Sequence, residues 1–139
     1  MVIGGGPAGL VAARTAAIKG HDVSLYEASS HLGGQFRSAA YPIGKGELST
    51  TTSSYRANLE ALNVPVHLNS EVSEEMIQEI KPDAIILATG AKPMVPPIKG
   101  IDGKNVFTAE DMLLGKYDIS NGPIVVCGGG EVGGETAHY

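Results

Sequence analysis

The chain has 139 residues, 10 Lys plus Arg against 15 Asp plus Glu, a formal net charge of -5 and an ordinary apolar content of 42%. Its length supports one domain with a core. No run of like charges marks a nucleic-acid or anionic-membrane surface, and no apolar run approaches the roughly 18 residues that span a bilayer. One cysteine, Cys127, excludes a disulfide framework or a cysteine-built metal site within the chain. The apolar start is broken at once by Gly4-Gly5-Gly6-Pro7, unlike a signal peptide, so the expected compartment is the cytoplasm. The 19 Gly are clustered, which points to phosphate loops rather than low complexity.

Met1-Val2-Ile3 reads as the tail of a buried strand, and Pro7 to Lys19, rich in Ala and Leu with Gly20 behind it, reads as a helix. Asp22 to Glu27 alternates as a second strand. Together they form a βαβ unit with parallel strands and a right-handed crossover. Residues 28 to 45 are expected to be loop with at most one helical turn. Gly46 to Asn63 is predicted helical from Tyr55, Leu59 and Leu62, although its Ser/Thr run competes for backbone hydrogen bonds. Pro65 to Leu68 is a short strand. Ser73 caps a helix to about Ile80, with Glu74 and Glu75 in its first turn.

Asp83 to Ala88 is predicted as a buried strand, Pro93, Pro96 and Pro97 as a stiff connector, Val106-Phe107 as a short strand and Ala109 to Leu114 as a short helix. Pro123 to Cys127 reads as a further buried strand, with Cys127 a small core residue. The alternation predicts an α/β fold of Rossmann type with a mostly parallel sheet.

The chemistry is carried by glycines. Gly4-Gly5-Gly6-Pro7-Ala8-Gly9 satisfies G-x-G-x-x-G between a strand and a helix. Gly4 permits the tight turn, Gly6 the approach of a pyrophosphate, and Gly9 close helix–strand packing. The helix N-terminus offers orphan N–H groups and partial positive charge. Pro7 costs little at the first helical position, where its missing N–H would be unpaired anyway, and Pro7 and Ala8 are counted with the cofactor-binding residues of this motif. Glu27 lies 18 residues past Gly9 at the end of the second strand. A carboxylate there can accept hydrogen bonds from ribose hydroxyls and would repel a 2′-phosphate. Gly128-Gly129-Gly130-Glu131-Val132-Gly133 repeats the pattern about 124 residues later. The stretch that would distinguish NAD from NADP at this second motif lies beyond Tyr139.

Glu27 followed by Gly33-Gly34-Gln35, and Ala88-Thr89-Gly90 after the fourth predicted strand, resemble FAD enzymes with two dinucleotide-binding domains. The resemblance implies that Gly33, Gly34 and Gln35 approach FAD and that Ala88, Thr89 and Gly90 pass near the flavin. It also implies that Gly128, Gly130 and Gly133 belong to an NAD(P)H site. On this basis residues 1–115 are expected to be an incomplete FAD-binding domain and residues 116–139 the first strand and helix of an NAD(P)-binding domain, with the fold cut at both ends.

Disulfide reductases of this superfamily carry a cysteine pair near the flavin, and no Cys occurs between Gly34 and Gly90. The stretches Val2 to Gly9, Tyr26 to Gln35, Asp83 to Pro97 and Val125 to Ala137 instead resemble the C-terminal part of old-yellow-enzyme-type NADH:flavin oxidoreductases. These include bacterial 2,4-dienoyl-CoA reductases, enoate reductases and trimethylamine dehydrogenase. That resemblance implies electron relay from NAD(P)H to FAD, then to an upstream module with an iron–sulfur cluster and FMN. Two alternatives stay open: another branch such as a glutamate synthase small-subunit-like enzyme, or a structural module holding ADP. The piece is expected to bind FAD weakly or not at all when isolated and to show no turnover, with its remaining polypeptide as partner and self-association through Ile124 to Cys127 as a risk. His21, His31, His67 and His138 have no metal-ligand spacing, and no side chain has the setting of an acid–base catalyst.

Overall fold

The computed structural model describes residues 1–119 and 122–139. Its elements run β1 (Val2–Ile3), α1 (Pro7–Ile18), β2 (Leu25–Tyr26), α2 (Phe36–Ala39), α3 (Glu47–Ala61), β3 (Val66–His67), α4 (Glu74–Ile80), β4 (Ile86–Leu87), α5 (Ala109–Leu113) and α6 (Glu131–His138). The four strands form one parallel sheet in the order β3-β2-β1-β4. This is the α/β architecture expected of the sequence, with the chain reversing direction across the sheet beside β1.

Register assigns the faces. Val66, Leu25, Val2 and Ile86 lie in one row, and His67, Tyr26, Ile3 and Leu87 in the next. Successive residues of a strand point to opposite faces. The first row joins the core, where Val2 and Leu25 are buried with Leu10 and Ala13 of α1 and Leu59 of α3. α3 lies against α1. On the second row Tyr26 stacks on His67 with ring centroids 4.5 Å apart, and Leu87 is 75% exposed.

The Ser/Thr run does not break α3, because its hydroxyls turn back onto the helix. Ser49 donates to the Gly46 carbonyl, Thr50 to Glu47 and Ser53 to Ser49. Ser73 caps α4 by accepting from the Met76 N–H at 3.3 Å. Among the described residues no helix is long and apolar enough to cross a membrane.

Three expectations are corrected. Pro123 to Cys127 is not a strand: Ile124 is 58% and Val125 83% exposed, and Cys127 is exposed rather than buried. A buried strand needs a ladder partner, and the described residues supply none here. The strand expected at 83–88 is reduced to Ile86–Leu87 at the sheet edge and is exposed, not buried. Val106-Phe107 forms no strand; Phe107 instead stacks on Tyr117 at 4.0 Å.

Leu59 is fully buried between α3 and the rest of the core. Leu59→Ala is expected to cost about 2–5 kcal/mol. Urea unfolding should show a lower midpoint at unchanged slope; a cost below roughly 0.5 kcal/mol would mean that α3 does not dock as described.

Candidate dinucleotide-binding site

The turn from β1 into α1 is built by two close approaches. Gly4 has φ +110, and a Cβ there would stand 2.2 Å from the Ala88 carbonyl oxygen. A Cβ on Gly9 would stand 1.9 Å from the Gly4 carbonyl oxygen. Only glycine at both positions lets α1 start this close to the strand ends. Gly6 is the N-cap, Pro7 opens the helix, and no side chain caps it. α4 and α5 differ: their first turns are capped by the Ser73 and Thr108 side chains. The leading N–H groups of α1 therefore face outward with the helix dipole behind them, a setting that fits a phosphate.

Glu27 is drawn into the same turn. Its Oε2 accepts from the Gly5 N–H at 2.6 Å and its Oε1 from the Ser29 N–H at 2.7 Å. Burial pushes its carboxyl up, but the Ser29 N–H and hydroxyl and the Gly5 N–H outweigh burial and hold it below the usual carboxylate range. A carboxylate offers about four lone-pair sites, so acceptor capacity remains for ribose hydroxyls.

The other predicted residues of the first motif group converge here. The Gly33 N–H donates to the Gly5 carbonyl at 2.8 Å. Gly34 lies against Gly6; a Cβ on Gly34 would be 3.1 Å from the Gly6 Cα. Gln35 Nε2 donates to the Ala91 carbonyl at 3.0 Å, tying the Gly-Gly loop to the Ala88-Thr89-Gly90 segment. Gly4 to Gly9, Glu27, Gly33 to Gln35 and Ala88 to Gly90 thus ring the C-terminal ends of β1, β2 and β4, where ligands of open α/β sheets bind.

The second motif repeats the turn without the enclosure. Gly128 has φ +122, and a Cβ on Gly133 would stand 2.0 Å from the Gly128 carbonyl oxygen. The N-cap Gly130 has φ -79 and ψ -173, against -74 and -179 at Gly6. Yet a Cβ on Gly128 would meet nothing within 4 Å, where one on Gly4 would run into Ala88.

Motif reading does not single out Ser29, which anchors Glu27, or Lys45, which reaches α6 (below). Nor does it mark a cavity of about 460 Å³ lined in part by His31, Phe36, Arg37, Thr52 and Arg56. The spacing of Ser49, Thr52, Ser53 and Arg56 on one helical face is the signal that would have found that wall.

Gly9→Ala is expected to force α1 off the Gly4 carbonyl and to destabilise the chain by about 1–3 kcal/mol. Gly46→Ala is the control, since Gly46 has helical backbone angles and open space around it. Thermal unfolding should separate the two; equal melting temperatures would refute the close-packing assignment.

The family model of the pyridine nucleotide-disulphide oxidoreductases matches residues 1–139. The chain is 45% identical to an NADH oxidase of Thermoanaerobacter brockii over all of this chain and 22% of that protein. It is 41% identical to a bilirubin reductase of Mediterraneibacter gnavus, over 99% of this chain and 21% of that one. Among solved structures, a 2-naphthoyl-CoA reductase in complex with 2-naphthoyl-CoA matches 99% of this chain and 21% of its own, with 33% identity and a TM-score of 0.86. The chain thus spans about a fifth of the length of these relatives. The old-yellow-enzyme-type resemblance is borne out, and the family's name does not require a disulfide here, since Cys127 has no second cysteine in this chain to pair with. Two glycine turns of matching geometry and a match along the full sequence lead to one conclusion: this chain belongs to the pyridine nucleotide-disulphide oxidoreductase family.

Proposed function

We propose that the chain is the dinucleotide-handling part of a larger cytoplasmic flavoprotein that takes reducing equivalents from NAD(P)H and passes them through FAD. The observation that carries this reading is the pair of matching glycine turns, one ringed by Glu27, the Gly33-Gly34 loop and Ala88 to Gly90. Residues 1–115 would hold the ADP half of FAD. Gly4, Gly6, Pro7, Ala8 and Gly9 would present backbone to the pyrophosphate, and Glu27 would take the ribose. Gly33, Gly34 and Gln35, with Ala88, Thr89 and Gly90, would line the path of the flavin chain. Residues 116–139 would supply Gly128, Gly130 and Gly133 to NAD(P)H.

FAD, when bound, supplies the electron-accepting ring; the protein supplies position, shape and exclusion of water. We place FMN and an iron–sulfur cluster in a further module of the same polypeptide. The exposed Ile124 to Cys127 stretch would pair with a strand from the rest of the protein or from a second copy.

A second reading has its own support. Glu27, the carboxylate gathered into the first turn, lies where the ribose of an ADP half would sit, so the site would also serve a module that holds ADP. Titration with FAD and with ADP distinguishes the two. On the main reading, the loaded protein carries flavin absorbance, FAD binds at least as tightly as ADP, and Glu27→Ala weakens both by roughly tenfold or more. ADP bound in place of FAD would support the second reading, and an unchanged affinity in Glu27→Ala would remove Glu27 from the site.

Glu27 also sets a pH dependence. Its folded-state proton affinity is lowered, so its stabilisation is complete above the ordinary carboxylate range and is lost as pH falls through the lowered value. Glu27→Gln should therefore flatten the acid limb of the stability profile measured from about pH 7 to about pH 3. A limb identical to wild type would show that Glu27 is not the titrating clamp.

A further inference from the structure

Lys45 lies in the loop between α2 and α3, yet its ammonium reaches α6. It donates to Glu135 Oε1 and lies 3.6 Å from Glu131 Oε1. In the same loop Tyr41 meets Tyr139 edge to face, with ring centroids 6.1 Å apart and planes at 78°. A loop of the first unit is thus moored to the helix of the second glycine turn by an ion triad and an aromatic contact.

Glu131 is the first residue of α6, directly after the N-cap Gly130. A carboxylate at that position suits a bare helix dipole. It is a handicap once a pyrophosphate is to approach the same N–H groups, because two anions then compete for one positive end. Glu135 stands four residues on, on the same helical face. Lys45 is the cation placed against both carboxylates.

We propose that Lys45 is a positioning residue for the second dinucleotide: it draws the Glu131 and Glu135 carboxylates to itself and offsets part of their charge, so that the anion approaching Gly128 to Gly130 meets a less negative helix start. This rests on the reading of the second glycine turn as the NAD(P)H site. The hydrogen bond to Glu135 first, and then the charges of Glu135 and Glu131, outweigh desolvation and push the Lys45 ammonium above its ordinary range, so Lys45 stays charged at neutral pH. Motif logic alone could not have found it, because Lys45 lies outside both glycine motifs.

The test is titration of the flavin-loaded full-length protein with NADH and with NADPH, at low and at moderate salt, for wild type, K45M, K45R, E131Q and the K45M/E131Q double variant. K45M is expected to weaken binding about three- to tenfold, with the gap narrowing as salt rises. K45R, which keeps the charge, should stay close to wild type. E131Q should recover most of the loss in the K45M background, a charge-specific rescue that a purely structural role for Lys45 would not produce. E131Q alone should bind as tightly as wild type or tighter; this variant keeps the test decisive where K45M does not fold. Unchanged binding by K45M, no rescue by E131Q, or weaker binding by E131Q alone overturns the role of Lys45 while leaving the second site standing. Wild type that binds neither NADH nor NADPH overturns the second site and this proposal together.

Discussion

The first glycine turn stands on one contact, the seating of Gly9 on the carbonyl of Gly4. Move α1 outward by the width of a methyl group and the helix axis no longer aims its N–H groups at the strand ends. Gly5 would then no longer meet Glu27, and the Gly33-Gly34 loop would lose its partner on the Gly5 carbonyl. The ring of residues around β1, β2 and β4 is therefore a consequence of how closely a helix can approach a strand, and that distance is set by the absence of two side chains. Glu27 converts this steric fact into an electrostatic one: its two oxygens tie the turn to the end of β2, and its lowered proton affinity keeps the tie charged at neutral pH.

Much of this was legible in the residues. The β-α-β start, the acid after the second strand and the two glycine motifs each have a local signature, and the structure places every one of them as a turn, a helix start or a strand end. α3 was legible too, despite its Ser and Thr residues, because back-bonded hydroxyls are compatible with a helix that has Leu59 to bury.

What was misread depends on partners that local sequence does not reveal. Apolar composition at Ile124 to Cys127 and at Ile85 to Leu87 states that these stretches suit burial, but burial needs something to lie against. Among the described residues the first has no ladder neighbour, and the second has one neighbour only, β1. The sheet's second row, with Tyr26 stacked on His67 and Leu87 largely exposed, reports the same condition from the other side. Lys45 was illegible for a related reason: its role depends on a carboxylate pair far along the chain, and no spacing rule connects the two.

The two glycine turns also differ in how they come into being. At the second turn the decisive contact joins residues that are near neighbours in sequence, Gly128 and Gly133, and it is present although, among the described residues, no strand pairs beside it. Closing so short a loop takes on the order of tens of nanoseconds or less. The first turn makes the same local contact, but its walls come from Glu27, Gly33 and Ala88, and Ala88 arrives from much further along the chain. In folding-time terms, the glycine turn is a fast local event and its enclosure a slow, long-range one. A newly made chain would sample this glycine turn well before the walls around its first counterpart are assembled.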